Sequence, residues 1–236
     1  MKNIKGKVIT VTSVKGGVGK STFTLSLAGV MSKRKLKTVI LDLDFSSGVI
    51  SASLNLIGIN DIFDLTDDMM NGRFENIEDY IRKYDEYIDV ISAPVDPRRA
   101  SKVHISYIQN IIKQLEYKYD IILIDTNHSL TGVNTCAFDE SDEILYLITN
   151  DLMDLKNMRT MRAIFENMNV DNYKIILNRK YSHSVFEVET VLDKNVDYIM
   201  PKSYWCENIQ KYLYEGKILT LEKNIKELDN IVDDIL

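Results

Sequence analysis

Proline, cysteine, tryptophan and histidine are all scarce in this chain of 236 residues, at 3, 2, 1 and 3 copies. The two cysteines, Cys136 and Cys206, lie far apart and form no C-x-x-C pair. That argues against a disulfide framework and against a zinc site, and it suits a reducing cytosol. Long apolar runs are missing too. No stretch approaches about 18 uninterrupted apolar residues, so nothing in the sequence reads as a membrane span. The basic opening Met1–Lys7 leads into a short run studded with Thr and Ser, a poor signal peptide and a good first strand. Nor is there a basic surplus. Lys and Arg number 29 against 35 Asp and Glu, for a net charge of −6, which argues against broad DNA binding without excluding it. The local basic clusters Lys33-Arg34-Lys35-Leu36-Lys37 and Arg98-Arg99 read as solvated helix ends and loops.

What is present is a regular alternation. Apolar runs rich in Val and Ile occur at Val8–Ser13, Thr38–Asp42, Ile88–Ser92, Ile121–Asp125, Ile144–Thr149, Lys174–Leu177 and Val196–Met200. Their near-continuous hydrophobicity predicts strands buried on both faces of a parallel sheet. Between them, helical periodicity predicts helices over Thr22–Lys33, Ser101–Lys118, Leu155–Met168, Val185–Lys194 and Cys206–Glu215. The pattern predicts a doubly wound, mostly parallel α/β sheet flanked by helices, in a single domain over residues 1–236. The stretch Ile59–Tyr87 is harder to place and reads as short helices over one sheet edge.

One segment carries chemistry directly: Ser13-Val14-Lys15-Gly16-Gly17-Val18-Gly19-Lys20-Ser21-Thr22, between a strand and a helix. Glycines let the backbone curl so that N–H groups converge on an anion, and the following helix adds its positive end. Gly16, Gly17, Val18, Gly19 and Thr22 supply this cradle. Lys20 reaches the β- and γ-phosphates, and the Ser21 hydroxyl can hold Mg²⁺. Two acidic strand ends accompany the loop. Val39-Ile40-Leu41-Asp42-Leu43-Asp44 places two carboxylates on one side of a strand, and Ile121-Ile122-Leu123-Ile124-Asp125 is a Walker B pattern whose Asp binds Mg²⁺ through water.

The loop departs from the common P-loop, because Val14 stands where the first glycine belongs and Lys15 follows it. This resembles the deviant Walker A motif, K-G-G-x-G-K-[ST], of the MinD/ParA superfamily of P-loop ATPases. The resemblance implies an ATP- and Mg²⁺-dependent ATPase that forms a homodimer around its nucleotides. In it, Lys15 reaches the partner's nucleotide, as an arginine finger does for factors of roughly 10³ to 10⁵. It also implies that Asp44 orients the attacking water and that Asp42 supports the Mg²⁺ shell. Ile175-Ile176-Leu177-Asn178-Arg179 resembles the superfamily strand whose Asn meets adenine. After Asp125, relatives often carry Thr-Pro-Pro, whereas this chain has Thr126-Asn127-His128, so a looser switch loop and altered turnover are expected.

Four further segments, Val90–Pro94, Tyr119–Thr126, Asp151–Asn157 and Glu215–Leu219, are similar to the TadZ/CpaE branch, which helps to localise the Flp (Tad) pilus secretion machinery. That likeness implies a cytoplasmic ATPase recruited by a secretion or pilus protein to a cell pole or the inner membrane face. The receiver-like N-terminal domain common in that branch is expected to be absent, since the P-loop strand starts almost at once. Alternatives are a MinD/ParA-type ATPase in division-site placement or DNA partitioning, and a nucleotide-bound scaffold with negligible turnover. A tyrosine autokinase fits less well, because the 13 tyrosines are spread along the chain. At the C-terminus, Leu221, Ile225, Leu228, Val232 and Ile235 form an apolar stripe beside mainly acidic residues. An anionic membrane would repel it, so direct membrane insertion is not expected; core packing or a partner helix is.

Overall fold

Val- and Ile-rich runs become strands here because both of their faces are covered by helices. The computed structural model describes residues 5–56, 58, 60–180, 185–201 and 208–236, with backbone alone at 179, 180 and 208. From the N-terminus, β1 (Lys7–Thr12) is followed by α1 (Lys20–Lys33), β2 (Thr38–Leu43), α2 (Ile50–Ser53) and α3 (Ile62–Met70). A 3-10 turn at Ile77–Tyr80 precedes β3 (Arg82–Lys83) and β4 (Ile88–Ile91). Two more, Pro97–Lys102 and Ile105–Tyr107, lead into α4 (Ile108–Glu116), β5 (Ile121–Thr126), α5 (Gly132–Asp139) and β6 (Glu143–Ile148). The chain continues through α6 (Leu152–Asn167), β7 (Tyr173–Lys180), α7 (Val185–Leu192) and β8 (Tyr198–Pro201). It closes with α8 (Asn208–Tyr214), α9 (Leu219–Glu222) and α10 (Lys226–Ile235).

Among the described residues the strands form one sheet in the order β3-β4-β2-β5-β1-β6-β7-β8. Every ladder is parallel except β3–β4. The doubly wound, mostly parallel sheet predicted from the sequence is therefore present. The chain winds outward from β1 to the β2 side and later to the β6 side, so a crevice opens at the C-terminal end of β1. Both edges are short: β3 has two residues, Arg82 and Lys83, and β8 has four and ends at Pro201.

Alternation along the strands divides the core. Ile9, Val11, Ile40, Leu123, Leu145 and Ile176 face α1 and α10. Val39, Leu41, Ile122 and Ile124 face α3 and α4, and Tyr146, Ile148, Ile175 and Leu177 face α6. Each fully buried Leu or Ile contributes roughly 1.5–3 kcal/mol. Gly29 of α1 is required by close approach, since a Cβ there would overlap Thr220 Oγ1 of α9.

Several expectations need correction. The single helix predicted over Ser101–Lys118 begins as two 3-10 turns, because Val103 and His104 are extended and His104 N–H donates to Thr66 Oγ1 of α3. The C-terminal stripe spans two helices, α9 and α10, separated by extended Lys223 and Ile225. It packs into the core: Leu228, Ile231, Val232 and Ile235 are buried, and Arg34 at the end of α1 pairs with Asp233 at 2.7 Å. Cys206, predicted to open a helix, lies outside the described residues, as does Ile59. Among the described residues no helix is long and apolar enough to cross a membrane.

Candidate functional site

The loop from Ser13 to Gly19 sits in the crevice, and its shape depends on glycine at two places. Gly17 and Gly19 have φ of 75° and 100°, a left-handed backbone that side chains strain. Neighbouring strands hold the loop. Val14 N–H donates to the buried Tyr146 hydroxyl of β6 at 3.1 Å. Asn178 of β7 is fully buried, and its Nδ2 donates to the Val18 carbonyl at 2.7 Å. Asn178 thus braces the cradle through one amide N–H. Arg179 follows on the same strand, its side chain outside the described set.

Lys20 opens α1 and is 7% exposed, with Nζ donating to Ser13 Oγ at 3.2 Å. Burial lowers its pKa, and the charges of Asp125, Asp44 and Asp154 oppose that shift. The buried cation therefore faces a carboxylate wall rather than solvent.

That wall comes from adjacent strands. Asp42 and Asp125 are register partners on β2 and β5, and both are fully buried. Asp42 accepts from Asp44 N–H at 3.1 Å through Oδ1 and from Ile50 N–H at 3.3 Å through Oδ2. Burial, then the Asp125 charge, pushes its pKa well up. Asp44 in turn accepts from the Ser46 and Ser47 amides, both at 3.1 Å, and from Ser47 Oγ at 2.8 Å. The two aspartates therefore fix the turn after β2.

Asp125 differs from them. Its Oδ1 accepts from Thr24 Oγ1 at 3.3 Å, but its buried Oδ2 has no donor. Burial pushes its pKa up to about 7, against hydrogen bonding from Ser21 and the Lys20 charge. A buried carboxylate oxygen lacking a donor, beside the Ser21 hydroxyl, is an oxygen-only pair suited to a hard divalent cation. Among the described residues no group of three or more His, Cys, Asp or Glu forms a metal cage. Mg²⁺ held jointly with phosphate oxygens needs none.

Two side-chain hydrogen bonds hold the loop after β5. Ser129 N–H donates to Asn127 Oδ1 at 2.9 Å, and Asn134 Nδ2 donates to the Asn127 carbonyl at 3.3 Å. His128 is exposed beside Gly16.

Lys15 stands apart. It is 40% exposed, and its Nζ lies 3.1 Å from Asp151 Oδ1. Asp151 is also the N-cap of α6, accepting from Met153 and Asp154 N–H. The Lys15 bond holds its pKa below the usual carboxylate range. Asp154 behind it is buried, bonded to Thr149 through Oδ2 and unpartnered at Oδ1. Asp151 and Asp154 were not among the expected site residues, although they open the Asp151–Asn157 segment singled out above and show an Asp-x-x-Asp spacing at a helix start.

A family profile described as AAA domain matches residues 6–177. The chain belongs to the AAA domain family. This AAA domain is 24% identical over 196 residues to the septum site-determining protein MinD of Synechocystis, covering 79% of this chain and 71% of that one. Its fold is that of a ParA family ATPase from Chlorobium tepidum (TM-score 0.84, 19% identity, 97% and 98% of the two chains). It also matches MinD complexed with Mg-ADP from Pyrococcus horikoshii (TM-score 0.79, 21% identity, 98% and 96%). The two structural likenesses show a shared fold.

Proposed function

We propose that this AAA domain protein is a switch ATPase of the MinD/ParA type, in which ATP joins two copies of the chain and hydrolysis parts them. The observation that carries the reading is the segregation of two lysines on one loop. Lys20 is buried among Asp44, Asp125 and Ser13, whereas Lys15 lies at the rim, held by an exposed aspartate. Lys20 stabilises phosphate charge within its own subunit. Lys15, once free of Asp151, is available to a second copy. Ser21 and Asp125 would hold Mg²⁺, which when bound neutralises phosphate charge. Asp44, positioned by the Ser46 and Ser47 amides, accepts a hydrogen bond from the attacking water.

Coupling follows from linkage, because a ligand shifts monomer towards dimer only if it contacts the two states differently. The finer reading is that the switch positions or assembles a Flp/Tad pilus machinery, supported by the TadZ/CpaE-like segments. The MinD relative supports division-site placement as the other reading. Size-exclusion light scattering with and without Mg²⁺-ATP tests the core of the proposal. The expected result is an ATP-dependent doubling of mass, enhanced in Asp44→Ala and lost in Lys15→Ala. Equal masses in all three proteins would overturn it. Pull-down with the Asp44→Ala protein then separates pilus-base from division partners.

A further inference from the structure

We propose that the cavity behind the turn after β2 is a carboxylate-binding site, separate from the phosphate cradle. It measures about 380 Å³ and is walled by Phe45 and Gly48 of the turn, by α2, and by the segment from Ser92 to Val95. That volume falls in the range of small-ligand pockets, roughly 300–1,000 Å³.

Three of its polar groups lack partners. Ser51 and Ser92 line the cavity, are 7% and 3% exposed, and neither hydroxyl is hydrogen-bonded. Arg82 lines it as well. Its Nη2 donates to the carbonyls of Gly58 and Asn60, at 3.0 Å each, while Nε is buried without an acceptor. Buried polar groups ordinarily find partners, so three orphans around one cavity call for an explanation. All three can donate, and the guanidinium can only donate.

Neighbouring carboxylates are committed elsewhere. Asp61 accepts from Phe63 and Asp64 N–H through Oδ1 and from Val95 N–H through Oδ2. Asp64 pairs with Arg99 at 3.1 Å. No Asp or Glu lines the cavity itself, and Asp61 and Asp64 act on Arg82 through their charge without bonding it. A carboxylate supplies two acceptor oxygens in one plane, which suits a cavity lined by a guanidinium N–H and two hydroxyls. The apolar wall of Phe45, Leu56 and Val95 takes the short aliphatic stem that carries it.

Such a ligand would rest against the turn that positions Asp44. An effect on hydrolysis rests on the ATPase reading above; the binding itself does not. The test titrates nucleotide-free full-length chain with glutarate, with neutral glutaramide and with an acetylated Glu-containing peptide, followed by backbone amide NMR shifts. The expected result is saturable binding of a carboxylate, with shifts confined to the turn after β2, α2 and the Ser92–Val95 segment, and none with glutaramide. The Ser51→Ala/Ser92→Ala double variant should keep its fold, since neither hydroxyl has a partner, and bind at least about tenfold more weakly. Lys20→Ala should bind as the native chain does. Tighter binding of the peptide than of glutarate identifies the source as a partner's acidic side chain, and the reverse order as a free acid. The inference is overturned by a failure to saturate, by equal binding of glutaramide, by undiminished binding in the double variant, or by loss of binding in Lys20→Ala.

Discussion

Replacing Asp125 by Asn should stabilise the nucleotide-free protein while disabling the proposed Mg²⁺ site. Asp125 is fully buried, faces Asp42 across the β2–β5 ladder, and has one oxygen without a donor. Its carboxyl titrates at about 7 in the fold instead of the ordinary 3.8. At about 1.4 kcal/mol per pH unit, that gap corresponds to a cost of about 4 kcal/mol for the ionised form, a ceiling because water entering the crevice screens the charge. The sign follows from proton counting. Between about pH 4 and 7 the native chain holds a proton that the unfolded chain has lost, so stability falls as pH rises through that window and is level above it. Carboxylates held low, such as Asp96 at about 2, act in the opposite sense only at more acidic pH. Urea unfolding in EDTA from pH 5 to 8.5 reads the difference. The native chain should weaken towards pH 7, whereas Asp125→Asn should be flatter and more stable at pH 8 by about 1–4 kcal/mol. Asp42 gains as well, because its own pKa is raised in part by the Asp125 charge. Parallel profiles for the two proteins would refute the reasoning.

Other outcomes follow from neighbouring contacts. Asp151→Asn keeps the N-cap acceptor of α6 but frees Lys15, and should tighten ATP-dependent dimerisation a few-fold in sedimentation at low salt, with the gain shrinking as salt rises. Asn178→Ala removes the donor to the Val18 carbonyl and should cost roughly 1–3 kcal/mol in chemical unfolding, with weaker nucleotide binding by calorimetry. Gly29→Ala drives a methyl into Thr220 and should cost about 1–3 kcal/mol, read as a lower Tm, with the phosphate loop intact.

The parts legible in the sequence were those whose physics is local. Glycines shortly before Lys20 announce a tight loop between strand and helix, and Val- and Ile-rich runs ending in Asp42 and Asp125 announce buried strands that deliver carboxylates to one sheet end. The C-terminal stripe correctly signalled packing, although its break at Lys223–Ile225 was invisible in the periodicity. What escaped depends on distant partners. The helix over Gly132–Asp139 is short, carries no charge in its first turn and reads as loop. β3 is two charged residues whose strand character comes entirely from pairing with β4. The Lys15–Asp151 pair joins a loop to a helix start far along the chain, and no spacing rule connects them. The bond from Asn178 to the Val18 carbonyl likewise joins β7 to a loop far away in the sequence.

The outer strands of the sheet bear on how this molecule behaves in a crowded solution. Arg82 and Lys83 at one margin and Pro201 at the other leave little bare backbone on which a second sheet could be templated. Irreversible strand-to-strand stacking is thereby discouraged at both flanks. Under the proposed switch, self-association falls instead to the end where the glycine loop lies, and an encounter governed by a nucleotide can be undone.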